Sequence, residues 1–143
     1  CAMPVRELEQ LVADREVYRD VECSAQNPRV FPLLPAAYRV RLDLGPSPSD
    51  LTLRVFGQPI RISVGKNLVS VGASAFPLST DSSDRHLTLL VDGCSVELFS
   101  GCGQALMTAP LLCDYNINRL ILTSDSPASV ERLEISRLRP ATH

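Results

Sequence analysis

Any chemistry done by this chain must come from its carboxylates, histidines and thiols. There are sixteen carboxylates, two histidines and five cysteines in 143 residues. Acid–base work on a single bond needs two groups held on either side of it, and the sequence alone pairs none of the carboxylates. A serine or cysteine nucleophile needs a histidine base beside it. His86 stands just before an apolar run and His143 is the last residue, so neither is placed for that task. Cys94 falls in a turn, where a thiol can be exposed, but nothing around it marks it as activated. Ser100-Gly101-Cys102-Gly103 opens no helix and so is not a phosphate cradle. The cysteines (Cys1, Cys23, Cys94, Cys102, Cys113) include no Cys-x-x-Cys spacing, which tells against zinc. No metal and no cofactor are expected, and the chain reads as non-catalytic by itself.

The composition sets the frame for these residues. A hydrophobic fraction of 45% with 21% charged fits one globular domain with its own core. An odd cysteine count without paired spacing does not describe a disulfide scaffold, and reduced thiols favour a cytoplasmic setting over secretion. Net charge is −2, with one lysine, thirteen arginines and no basic run, so the footprint of a nucleic-acid binder is missing. No apolar stretch has the length of a membrane span. Aromatic residues make up 5% and tryptophan is absent, which tells against a sugar-stacking platform.

The elements that would position any site follow from periodicity. Met3-Pro4-Val5-Arg6-Glu7-Leu8-Glu9-Gln10-Leu11-Val12 reads as a short amphipathic helix, with Pro4 in its first turn. From about Tyr18 the period is twofold. Strands are predicted over 38–44, 51–55, 60–64, 68–71, 87–91, 96–98, 104–109, 119–123 and 133–138, separated by Gly-, Pro- and Asn-containing turns. Short strands with one apolar face each predict an all-β, antiparallel two-sheet sandwich of the jelly-roll kind. Residues 1–14 are assigned to the helical segment and 15–143 to the sandwich.

The stretch His86-Leu87-Thr88-Leu89-Leu90-Val91-Asp92-Gly93-Cys94-Ser95-Val96-Glu97-Leu98-Phe99 resembles a hairpin of the C-terminal sandwich of glycoside hydrolase family 32, the β-fructosidase and invertase family. Ile60-Arg61-Ile62-Ser63-Val64 with Asn67-Leu68-Val69-Ser70-Val71 resembles the hairpin before it. The opening helix resembles the linker that joins the family's catalytic propeller to its sandwich. Gly93 and Cys94 depart from the family's turn, where arginine and serine are usual. The catalytic aspartates of the family sit in Trp-x-Asn-Asp-Pro and Arg-Asp-Pro motifs, and the chain contains neither. Glu22-Cys23 matches the family's acid/base dipeptide in letters only, outside that context, and is read as coincidence.

The resemblance implies an accessory domain that docks on the propeller of the same polypeptide and, in some members, helps build dimers. The alternative is a carbohydrate-binding module for fructose or fructan. Asp92, Glu97 and Arg85, with Asp84 beside them and Tyr115 or Phe99 as a wall, are its candidate sugar contacts. Asp92 and Glu97 are equally readable as structural carboxylates, Asp92 by accepting from the backbone of its own turn.

Overall fold

The computed structural model describes residues 12–34, 36–44, 50–63, 68–72, 74–77, 86–92, 95–100, 105–110, 114 and 116–138. Twelve strands run through them: β1 (Val12–Cys23), β2 (Arg29–Pro32), β3 (Tyr38–Asp43), β4 (Leu51–Val55), β5 (Gln58–Ser63), β6 (Leu68–Val71), β7 (Ser74–Pro77), β8 (His86–Val91), β9 (Ser95–Ser100), β10 (Ala105–Pro110), β11 (Arg119–Ser124) and β12 (Ala128–Leu138). They form two six-stranded sheets, sheet A in the order β1-β12-β3-β8-β9-β10 and sheet B in the order β2-β11-β4-β5-β6-β7. Every pairing is antiparallel. The all-β sandwich expected from the sequence is therefore the fold. The expected helix lies outside the described residues, apart from 12–14, which already belong to β1.

Alternation accounts for the two layers. Val40 and Leu42 of β3, Leu87 and Leu89 of β8, and Val96 and Leu98 of β9 are fully buried from sheet A. Leu53, Ile60, Ile62, Val69, Leu120 and Leu122 meet them from sheet B. Each such side chain removed from water contributes about 1.5–3 kcal/mol before the entropy of ordering it is counted. Between them, Arg41, Arg61 and Glu97 point outward.

Two places depart from ordinary strand backbone. Asp20 of β1 has φ 52°. Tyr18 opposes buried Leu133 and Val21 opposes buried Val130, so two residues instead of one separate the inward positions. The left-handed residue thus switches which positions face the core. Asp tolerates this backbone better than a β-branched residue does. Asp20→Val should therefore cost about 1–2 kcal/mol in denaturant unfolding, while Asp20→Gly should stay within about 0.5 kcal/mol of the parent. The second departure is the β4–β5 turn, where Phe56 and Gly57 have φ of 48° and 85°. Positive φ at both central residues is the type I′ geometry that normally selects Asn-Gly.

Candidate functional site

The outer face of sheet A holds the strongest concentration of charge chemistry among the described residues. Register explains it. Glu134 of β12 lies opposite Val17 of β1 on one side and Arg41 of β3 on the other. One step along, Ser136 lies between Arg15 and Arg39, and in the other direction Arg132 lies between Arg19 and Asp43. The alternation of three neighbouring strands thus turns one carboxylate and several guanidiniums to the same side.

These groups close on one another. Arg15 Nε is 2.9 Å from Glu134 Oε1, and Arg39 Nη2 is 3.5 Å from the same oxygen. Arg132 Nη2 is 3.2 Å and Arg41 Nη1 3.9 Å from Oε2. Ser136 Oγ donates to Oε1 at 3.4 Å. Glu134 and Arg39 are each 2% exposed and Ser136 is 0% exposed, although they sit on the side of the sheet away from the core. The more exposed Arg15, Arg41 and Arg132 cover them. On β1, β12 and β3 this face carries Arg15, Arg19, Arg39, Arg41 and Arg132 against Glu134 and Asp43. Five cations against two anions leave an excess of three positive charges, in a chain whose total is −2.

Of the residues nominated from the sequence, Asp92, Glu97 and Phe99 lie in the β8–β9 hairpin of the same sheet. Asp92 serves its own turn: its Oδ1 accepts from Ser95 N at 3.0 Å and from Ser95 Oγ at 3.1 Å. Asp92 N also donates to Ser95 O at 3.2 Å. Glu97 is exposed, between Leu90 and Thr108 in register. Arg85, Asp84, Gly93, Cys94 and Tyr115 lie outside the described residues. His86 is paired in register with Asp43, their Nδ1 and Oδ1 2.5 Å apart. Sequence reasoning did not nominate the Glu134 cluster, because Arg39 and Arg41 read as outward polar positions with no sign of a partner.

Glu22-Cys23 ends β1. Glu22 is exposed and Cys23 is buried. The two line an open hollow of about 630 Å³ with Ser24, Asn27 and Ser129. No guanidinium is among the described residues lining it. Burial pushes the Cys23 thiol up from its ordinary range, against smaller opposing effects of Ser124 and Arg29. The folded protein should therefore show far slower iodoacetamide labelling at Cys23 at pH 8 than the urea-unfolded chain, read by peptide mass spectrometry. Equal rates would mean the thiol is not buried.

No family model matches the sequence, and no curated protein matches it. Solved structures do. An exo-inulinase from Aspergillus awamori superposes with a TM-score of 0.68 at 15% identity, over 92% of this chain and 31% of that one. A family 32 β-fructofuranosidase from Bombyx mori gives 0.65 at 17%, over 97% and 30%. The sucrose-6-phosphate hydrolase of Lactobacillus gasseri gives 0.67 at 11%, over 93% and 30%. The chain has the fold of a domain of glycoside hydrolase family 32 enzymes. Identities this low show a common fold, and the chain spans roughly a third of the length of these family 32 structures. The Glu134 cluster is accordingly a feature of one domain's surface, on a fold that in those enzymes is one part of a longer chain.

Proposed function

We propose that the chain is a non-catalytic C-terminal accessory domain of a β-fructofuranosidase-type glycoside hydrolase, docked on the catalytic propeller of the same polypeptide. The observation that carries this reading is coverage: more than nine-tenths of the chain superposes on about three-tenths of each of three such enzymes. The outer face of sheet A is the surface favoured for the contact. Arginine is enriched at protein interfaces, and here guanidiniums are held in place by a buried carboxylate before any partner arrives. Preorganised side chains lose less entropy on binding.

The test compares the isolated chain with the longer polypeptide that carries it. The isolated chain should release no fructose from sucrose, inulin or levan. Deleting residues 12–138 from the longer polypeptide should lower its melting temperature by several degrees. Fructose release by the isolated chain, or an unchanged melting temperature after deletion, would overturn the proposal.

A further inference from the structure

A second site lies at the end of the sandwich where the edges of β1 and β2 approach the start of β3. A hollow of about 380 Å³ is lined there by Asp14, Glu16, Leu34, Tyr38, Ile135 and Arg137, among others. That volume is at the small end of the range for ligand pockets. Its floor is apolar: Ile135 and Tyr38 are 4% and 5% exposed, and the Tyr38 hydroxyl is occupied in accepting Leu34 N at 2.8 Å. Leu34 itself is 57% exposed, one of only three large apolar side chains so exposed among the described residues. An apolar side chain held open beside charged groups is an unused contact surface.

The rim is polar and already aligned. Arg137 grips Asp14 with two nitrogens on one oxygen, Nε to Oδ2 at 2.9 Å and Nη2 to the same atom. That leaves Asp14 Oδ1 and the remaining guanidinium N–H groups as a neighbouring acceptor and donor set. Glu16 is fixed through Oε2 by the hydroxyl of Tyr18, whose ring lies against Phe31 with centroids 4.6 Å apart. The Glu16 bond and burial push the Tyr18 phenol up to about 12. Arg15 also borders the hollow, but its guanidinium is turned to Glu134. With Arg15 turned to Glu134, two carboxylates and one arginine leave one negative charge around the opening.

We propose that this hollow binds a neutral sugar ring, with Asp14, Glu16 and Arg137 contacting adjacent hydroxyls and Tyr38, Ile135 and Leu34 packing against its carbon face. A vicinal diol matches a carboxylate beside a guanidinium, because one hydroxyl donates to the acid while its neighbour accepts from the base. A rim with one carboxylate in excess does not favour an anion, and the apolar floor suits the C–H side of a ring. The site shares no residue with Asp92, Glu97 and Arg85. It also does not depend on the accessory role, since it is tested on the isolated chain with no catalytic domain present.

The experiment is a nitrogen-15 NMR titration of the isolated chain with fructose, methyl β-fructofuranoside, glucose and sodium phosphate as separate probes. Saturable shifts centred on the amides of Asp14, Glu16, Leu34 and Arg137 with at least one sugar support the site, and the three sugars rank its preference. Asp14→Asn should weaken that binding by about tenfold or more, the loss expected for a hydrogen bond to a charged group. Leu34→Ser is at an exposed position and leaves the ion pair intact; it should weaken binding by about threefold or more through lost apolar contact. Glu97→Ala should change nothing. No saturable shift with any sugar, shifts confined to residues 92–97, saturation by phosphate alone, or full affinity in Leu34→Ser would each overturn the proposal.

Discussion

Phe56→Ala will cost the isolated chain about 3–5 kcal/mol, the usual loss for a buried phenylalanine cut to alanine. For a domain of this size that is a fall of roughly 10–15 °C in melting temperature. The ring is 0% exposed and packs 6.2 Å, centroid to centroid, from that of Tyr38. Its backbone ties the β4–β5 turn to the segment leading into β11: Phe56 N donates to Arg119 O at 3.3 Å, and Phe56 O accepts from Asp114 N at 3.0 Å. Against this stands the backbone strain of a non-glycine residue at φ 48°, worth about 1–2 kcal/mol. Burial outweighs strain, which explains an aromatic residue where asparagine is normal. Phe56→Asn decides the point. It suits the turn but empties the core, and it should remain destabilised by more than 1 kcal/mol. A neutral or stabilised Phe56→Asn would mean that the turn controls this position and the ring contributes little. Gly57→Ala is a companion with a separate cause: φ is 85°, and an added Cβ would stand 2.7 Å from Ile117 Cδ1.

The strands legible in the sequence are those whose side chains alternate cleanly. Leu51, Leu53 and Val55 with Ile60 and Ile62 announce β4 and β5, and the structure buries all five. β1, β2 and β7 were not legible, and each has a physical reason. All three are edge strands with a partner on one side only, so water and charge are tolerated along them. Six of the twelve residues of β1 are charged, and Asp20 switches its inward face midway, which hides the twofold period. β2 and β7 are four residues long and each ends in proline, which cannot donate to the ladder, so the run left for periodicity to read is very short. β12 begins at Ala128, five residues before the predicted start at 133, because Glu131 and Arg132 interrupt its alternation.

The sites were less legible than the strands, for a reason of distance along the chain. The hairpin role of Asp92 is local, and its bonds reach only three residues. The Arg39–Glu134 pair spans 95 residues and the Arg137–Asp14 pair 123. The first depends on β3 lying beside β12, a pairing that periodicity does not give even where it finds both strands; the second depends on β1 lying beside β12, and β1 is the strand that periodicity missed. A correct reading of the edge strand would have brought Arg15 and Asp14 to their partners.

Glu134→Gln is the sharpest test of the outer face of sheet A. Glu134 is the one carboxylate within 4 Å of Arg15, Arg39, Arg41 and Arg132 among the described residues. Removing its charge takes away the carboxylate on which these guanidiniums converge, with Arg39 only 2% exposed. Breaking a buried ion pair from one side costs about 3–5 kcal/mol, so the melting temperature should fall by roughly 10–15 °C. The effect should persist at 0.5 M salt, because buried pairs are screened far less than exposed ones. Arg41→Ala is the contrast: its side chain is 46% exposed and 3.9 Å from Glu134, and the isolated chain should lose less than about 1 kcal/mol. In the longer polypeptide the same Arg41→Ala should cost clearly more, because a cation buried against a partner is no longer solvated by water alone. Equal losses in the two settings would remove the outer face of sheet A as the docking surface, and a loss below about 1 kcal/mol for Glu134→Gln would remove its rigid base.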